Sequence, residues 1–138
     1  MTPPDDHQRC PCGSGGDHGS CCGRIHRGEA AAMTAEALMR SRFSAFSVGD
    51  DAYLLHSWHP GTRPARVRFV SGRRWTRLEV LAASGGPFDQ EGTVEFVAHH
   101  ERDGEPGRLH EVSRFVRHEG RWVYLGALSI DTAADPGS

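Results

Sequence analysis

The alternation of apolar and polar side chains changes character twice along this chain. Residues 1–29 show no period: after Met1, Ile25 is the one aliphatic side chain among Gly, Cys, His and Arg. From Thr34 the spacing is helical. Leu38, Met39, Phe43 and Phe46 form one broad stripe, Thr34 is a capping residue and Gly49 a stop. A shorter helix is predicted from Asp50 or Asp51 through Tyr53, Leu54 and Leu55 to Trp58, because Pro60 cannot continue it. After Pro64 the period drops to two, and segments 67–70, 75–82, 93–100, 109–118 and 121–127 read as strands.

Turn chemistry joins these strands into antiparallel hairpins. Glu119-Gly120 makes a two-residue link, and the turn-rich stretch 103–107 makes a longer one. With His118 opposite Arg121 and Arg102 opposite Arg108, Glu95 faces Phe115, Val97 faces Ser113 and Phe96 faces Arg114. One sheet face then collects Glu95, Val97, Glu111, Ser113, Phe115 and Tyr124. The other collects Val94, Phe96, Val112, Arg114, Val116, Val123 and Leu125. A slip of one residue would exchange the two sets. Helices followed by antiparallel strands predict an α+β fold, with the helices packed on one side of a curved sheet. The expected division is a small N-terminal unit at 1–29, a larger domain at 30–130 and a flexible tail at 131–138.

Composition narrows the function. The 138 residues, 37% hydrophobic and 25% charged, suit one ordinary domain with a small appendage. A net charge of −2 gives no general attraction to nucleic acid or an anionic membrane. The arginines of 63–77 (Arg63, Arg66, Arg68, Arg73, Arg74 and Arg77) read as a solvated surface ahead of an RNA track. No apolar run approaches the roughly 20 residues that span a bilayer. Residues 1–9 carry two acids and no apolar stretch, unlike a secretory signal, so the expected location is cytoplasmic.

All four cysteines lie between residues 10 and 22, in the pattern Cys10-Pro11-Cys12-Gly13-Ser14-Gly15, then Cys21-Cys22-Gly23. Thiols so close together staple nothing distant, and in a reducing compartment they point to a metal rather than to disulfides. Zinc takes four soft ligands in a tetrahedron. Cys10 and Cys12 form one chelating pair, the glycine-rich connection folds back, and Cys21 with Cys22 completes the shell. A closed shell has no position for water, so the zinc is expected to be structural and to supply the folding energy that residues 1–29 lack. His18 and His26 are alternates for one ligand, and a zinc-releasing redox switch is a further reading.

The cysteine string resembles the SEC-C motif, the zinc module named for the C-terminal tail of the translocase ATPase SecA. The likeness continues through residues 34–46, Trp58-His59-Pro60, Thr62-Arg63-Pro64, 92–96, 109–115 and Gly120-Arg121-Trp122, strings that together resemble the bacterial YchJ family. That resemblance implies a SEC-C knuckle followed by an NTF2-like (cystatin-like) domain, in which a bent antiparallel sheet and its helices form a cone with an interior pocket. It implies no biochemical activity. SecA-like knuckles carry lysines and an aromatic between the cysteine pairs and bind the chaperone SecB. Here Gly16-Asp17-His18-Gly19-Ser20 stands in their place, which argues against a SecB-like partner.

Two functions follow as expectations. The first is a zinc-binding protein whose knuckle docks an unknown protein and whose cone binds or dimerises, as a homodimer. The second is an acid–base enzyme of isomerase or hydrolase type, with Trp58, His59, Glu95, His110, Glu111 and Arg114 as candidate pocket residues. No nucleophile motif, phosphate loop or dinucleotide fingerprint favours a particular reaction.

Overall fold

The computed structural model describes residues 7–134. A 3-10 turn, His18–Ser20, leads into three helices: α1 (Cys22–His26), α2 (Ala35–Val48) and α3 (Asp51–His56). Four strands follow: β1 (Arg73–Ala83), β2 (Glu91–Arg102), β3 (Glu105–His118) and β4 (Arg121–Ala134). They pair in sequence order as one antiparallel sheet, β1-β2-β3-β4.

Local chemistry sets the helix ends. The Ala37 amide donates to Thr34 Oγ1 at 3.0 Å and the Tyr53 amide to Asp50 Oδ1 at 3.0 Å, so α2 and α3 each start on a side-chain cap. Gly49, at φ 76°, ends α2. The third helix stops at His56, two residues short of the predicted Trp58. The chain there leaves the helix to join the sheet: Trp58 bridges Tyr124, and the His59 amide donates to the Tyr124 carbonyl at 2.8 Å.

Helix α2 lies against the sheet and supplies Ala35, Leu38, Met39 and Phe43 to the main core. Leu78, Val94, Phe96, Ala98, Phe115 and Trp122 meet them from the strands. Bulges in β1 between Trp75 and Arg77 and between Val80 and Ala82, and in β3–β4 near Val112 and Arg114, bend the strands around this layer. Gly92 sits where the loop before β2 presses on the sheet. A Cβ there would lie 2.2 Å from the Ser84 carbonyl oxygen, so no larger residue fits without moving backbone.

Three expectations need correction. Residues 67–70 are not a strand: Val67 packs beside the cluster of Ala45, Tyr53 and Leu54, and Phe69 lies edge-on to Phe46 at 6.2 Å, so this apolar run is used against helices. The fourth strand runs to Ala134, with Leu109 opposite Thr132, where a tail was expected from 131; residues 135–138 lie outside the described residues.

The third correction concerns register. The β2–β3 turn is the two residues Asp103-Gly104, at φ 54° and 80°, and Arg102 faces Glu105. Backbone with φ positive at both positions matches the twist of paired strands, and an Asp-Gly pair takes it readily. Pro106 had suggested a longer loop. It pairs instead with Glu101 in the second rung, where an antiparallel ladder makes no demand on its missing N–H from β2. The shift is three residues, an odd number, so β2 turns over relative to β3. Phe96 now faces Glu111, Val94 faces Ser113, and Glu95 faces Val112. The β3–β4 turn is as predicted, with His118 opposite Arg121 and Phe115 opposite Tyr124.

Candidate metal centre and cavity

The N-terminal segment folds back on itself and rests on α2. The Cys10 amide donates to the Gly16 carbonyl at 2.9 Å and the His18 amide to the Gln8 carbonyl at 2.8 Å, closing a loop that brings both cysteine pairs together. The four Sγ atoms lie within 4.8 Å of one another. Cys12 is 3.6 Å from Cys21, and Cys21 is 3.9 Å from Cys22. Cys10, Cys12 and Cys22 are buried and Cys21 is half-buried. The cluster can hold a metal ion.

The cluster's electrostatics call for a cation. Hydrogen bonds from Cys12 and Cys22 drive Cys10 far below the usual thiol range, and the same contacts with Cys10 and Cys12 drive Cys22 far above it. One sulfur holds charge at the expense of its neighbours, because adjacent thiolates repel unless a cation lies between them. The neighbouring side chains support the sulfurs from outside. Ser44 Oγ lies 3.4 Å from Cys10 Sγ, Ser14 Oγ lies 3.2 Å from Cys21 Sγ, and Arg40 Nη1 donates to the Cys12 carbonyl at 2.7 Å.

The two histidines weighed as alternate ligands stand beside the four-sulfur group. His18 Nδ1 is 3.5 Å from Cys10 Sγ. His26 Nε2 donates to the Ser41 carbonyl at 2.8 Å, and its ring rests on Tyr53 with centroids 4.7 Å apart. His26 thus ties α1 to α2.

The second feature is a cavity of about 280 Å³ between α2 and the concave face of the sheet. Phe43, Phe46, Trp58, Trp75, Phe96 and Leu109 make most of its wall. Arg42, Glu111, Ser113 and Tyr124 bring polar groups to the lining. Arg42 is 4% exposed; its Nη1 donates to the Leu54 carbonyl at 2.9 Å and to Ser57 Oγ at 2.7 Å. Its guanidinium sits over the Trp58 and Tyr124 rings, 4.8 and 4.6 Å from their centroids. Burial lowers the Arg42 pKa from its usual range to about 10, still charged at neutral pH. Glu111 Oε2 accepts from the Ser113 hydroxyl and, at 3.1 Å, from the Tyr124 hydroxyl. Burial, followed by the Glu111 charge, raises the Tyr124 phenol well above its ordinary value.

Of the six candidate pocket residues, Trp58 and Glu111 line this cavity. The odd register shift sends Glu95 to the outer face, where His110 and Arg114 stand on β3 as neighbours of the inward-facing Glu111 and Ser113. There His110 Nε2 lies 2.7 Å from Glu95 Oε2, and Arg114 is exposed. His59 does not cap a helix; its Nδ1 accepts from the Gly61 amide at 2.9 Å and its ring meets His118 at 5.0 Å. Arg42 went unnoticed in the sequence, although its place four residues after Leu38 and three after Met39 puts a charge inside the apolar stripe of α2. Ser44, two residues on, points at Cys10 and carried no sequence signal of its own.

The arginines of 63–77 do not gather into one free patch. Arg74 pairs with Glu101, Arg77 with Glu79 at 3.4 Å, Arg73 lies over Trp75 at 5.2 Å, and Arg63 donates to the Trp58 carbonyl at 3.1 Å. No helix is long and apolar enough to cross a membrane.

A four-sulfur N-terminal cluster seated on the helix of a helix-on-bent-sheet domain defines a SEC-C motif protein with an NTF2-like domain. The comparisons agree. Residues 34–127 match the family model described as the middle NTF2-like domain of YchJ. A UPF0225 protein of Streptomyces coelicolor is 52% identical over 131 residues, covering 94% of this chain and 98% of its own. The solution structure of a SEC-C motif containing protein from Rhodopseudomonas palustris superposes with a TM-score of 0.77 at 32% identity, over 90% of this chain and all of that one. A crystal structure of a SEC-C motif containing protein from Psychrobacter arcticus gives 0.74 at 25% identity, over 91% and 86% of the two chains. The chain belongs to the YchJ (UPF0225) family.

Proposed function

We propose that this chain is a structural-zinc protein, in which Cys10, Cys12, Cys21 and Cys22 hold one Zn²⁺ that clamps the N-terminal segment onto α2. The observation that carries the reading is the sulfur geometry. Bonds of about 2.3 Å to a tetrahedral zinc imply sulfurs about 3.8 Å apart; Cys12–Cys21 and Cys21–Cys22 stand at 3.6 and 3.9 Å, and all four sulfurs lie within 4.8 Å of one another. The Ser44 hydroxyl, the Ser14 hydroxyl and the His18 ring flank the sulfurs as hydrogen-bond partners, the kind of surroundings that orient thiolate ligands. With four protein ligands the ion has no open position, so it supplies folding energy rather than a reactive water. A thiolate site of this kind suits the reducing cytoplasm.

In this reading the knuckle presents residues 13–17 to a protein partner. They are exposed, small and polar, and fit a partner that reads backbone. The NTF2-like domain is the binding or dimerisation half. An acid–base enzyme is the weaker reading, because only Glu111 of its four proposed groups faces the cone, while His59, Glu95 and His110 lie outside it.

Elemental analysis of reduced, untagged protein tests the proposal. One zinc per chain is expected, lost in Cys10→Ser/Cys12→Ser together with the order of the N-terminal segment. Protein free of tightly held metal, with that segment still ordered, would overturn it. Affinity capture comparing wild type with the same double variant tests the docking role, which fails if both capture the same partners.

A further inference from the structure

The cavity under α2 holds a buried cation and a buried carboxylate, each only half used by the protein. Among the described residues, both side-chain hydrogen bonds of Arg42 leave from Nη1, and no ion pair engages its guanidinium. Trp58 and Tyr124, themselves packed edge to face, hold the group by cation–π contact. The Nε–Nη2 edge is left without a protein acceptor. That edge is one that grips a carboxylate through two parallel hydrogen bonds. Glu111, 7% exposed, accepts both of its hydrogen bonds on Oε2, and Oε1 has no donor among the described residues.

Buried charges that are neither paired with each other nor fully hydrogen-bonded cost several kcal/mol each in general, and proteins keep such groups mainly where something else completes them. Water can do so, but the remaining wall is unsuited to water alone: Phe43, Phe46, Trp75 and Leu109 give an apolar lining. The volume of about 280 Å³ lies near the lower end of the ~300–1,000 Å³ typical of small-molecule sites. It suits one small molecule and is too small for a nucleotide or a lipid.

We propose that this cavity binds a zwitterionic α-amino acid with an apolar side chain, its carboxylate on the Nε–Nη2 edge of Arg42, its ammonium at Glu111 Oε1 and its side chain against Phe43, Trp75 and Leu109. Charge balance selects this class. A simple carboxylate would satisfy Arg42 but bring a second negative charge next to Glu111. A simple amine would do the reverse beside Arg42. A molecule carrying both signs leaves every charge in the cavity paired. The proposal is independent of the zinc reading, since it uses none of the cysteines.

The test is a titration of the full-length, metal-loaded protein followed by the indole N–H signals of Trp58 and Trp75. The probes are L-phenylalanine, 3-phenylpropionate, which lacks the amine, and phenethylamine, which lacks the carboxylate. L-Phenylalanine should shift both signals saturably and bind at least ~10-fold tighter than either half-ligand, one charge-assisted hydrogen bond being worth about that factor. Glu111→Gln should weaken L-phenylalanine and leave 3-phenylpropionate unchanged or tighter, because the repelling charge is gone. Arg42→Gln should abolish the preference for a carboxylate; as Arg42 also holds Leu54 and Ser57, the Glu111→Gln result decides if that variant does not fold. Equal binding of a half-ligand, no saturable shift up to the solubility limit, or a Glu111→Gln protein that binds L-phenylalanine as before would each overturn the assignment and leave a water-filled void.

Discussion

Ser44 Oγ lies 3.4 Å from Cys10 Sγ, while Arg42 and Phe43, two and one residues earlier on α2, line the cavity. One helix therefore serves two sites, with the thiolates on one side and the cone on the other. Hydrogen bonds to a ligating sulfur typically contribute about 10- to 100-fold in metal affinity. If the proposed zinc is held here, Ser44→Ala should lower its affinity by roughly ten-fold, measured by competition with a chromophoric chelator, without changing the shape of the sheet.

Arg42 also closes the end of α3. Arg42→Met keeps the packing volume but takes the donor from Ser57 Oγ and one of two donors from the Leu54 carbonyl, which retains the Ser57 hydroxyl at 3.1 Å. An abandoned buried acceptor costs about 1–3 kcal/mol, and the cation–π contacts with Trp58 and Tyr124 go with it. The urea midpoint should fall accordingly, with an unchanged m-value.

At Gly92 the cost is steric. Gly92→Ala would set a Cβ 2.2 Å from the Ser84 carbonyl oxygen and 2.6 Å from the Gly85 Cα, both backbone atoms. Overpacking of this kind costs about 1–3 kcal/mol and sometimes more. Thermal melts should show a clear drop, larger than that of Gly126→Ala, where a Cβ would meet nothing within 4 Å.

The phenols give a pH prediction. Burial raises both Tyr53 and Tyr124 above the ordinary value of 10.0. In the folded chain both should keep their protons to higher pH than the phenols of the unfolded chain, half of which have ionised at pH 10. The unfolded state then binds fewer protons, so these groups contribute stability that is present below pH 10 and lost as the pH rises above it. Ultraviolet titration of tyrosinate, native against denatured, checks this. Coincident curves would refute it.

The outer face should be indifferent. Glu95→Gln removes half of an exposed pair with His110, and such pairs contribute about 0–1 kcal/mol. Chemical denaturation should register little change, and the indole signals of Trp58 and Trp75 should keep their positions.

Much of this fold could be read from the chain. The Thr34 cap, the α2 stripe and the Glu119-Gly120 hairpin each announce themselves through a local rule, and the cysteine spacing marks the four clustered sulfurs. On β3 and β4, Glu111, Ser113, Phe115 and Tyr124 were grouped together, because a two-residue turn fixed their register. The grouping of Glu95 and Val97 with them failed at Pro106, which reads locally as loop and folds as strand. Arg42 stayed hidden for a different reason. Nothing about an arginine on a helix says that its guanidinium will lie against Trp58 and Tyr124, partners 16 and 82 positions away.

The short Asp103-Gly104 turn has a consequence for how relatives of this chain can vary. Loop insertions are usually harmless, yet here the parity of a connection decides which side chains a ligand would meet. One added residue, if absorbed by sliding β2 along β3, would evert the lining, bringing Glu95 and Val97 inward and Phe96 out to solvent. Homologues that differ in length at this bend should therefore differ by two residues, or carry a compensating bulge.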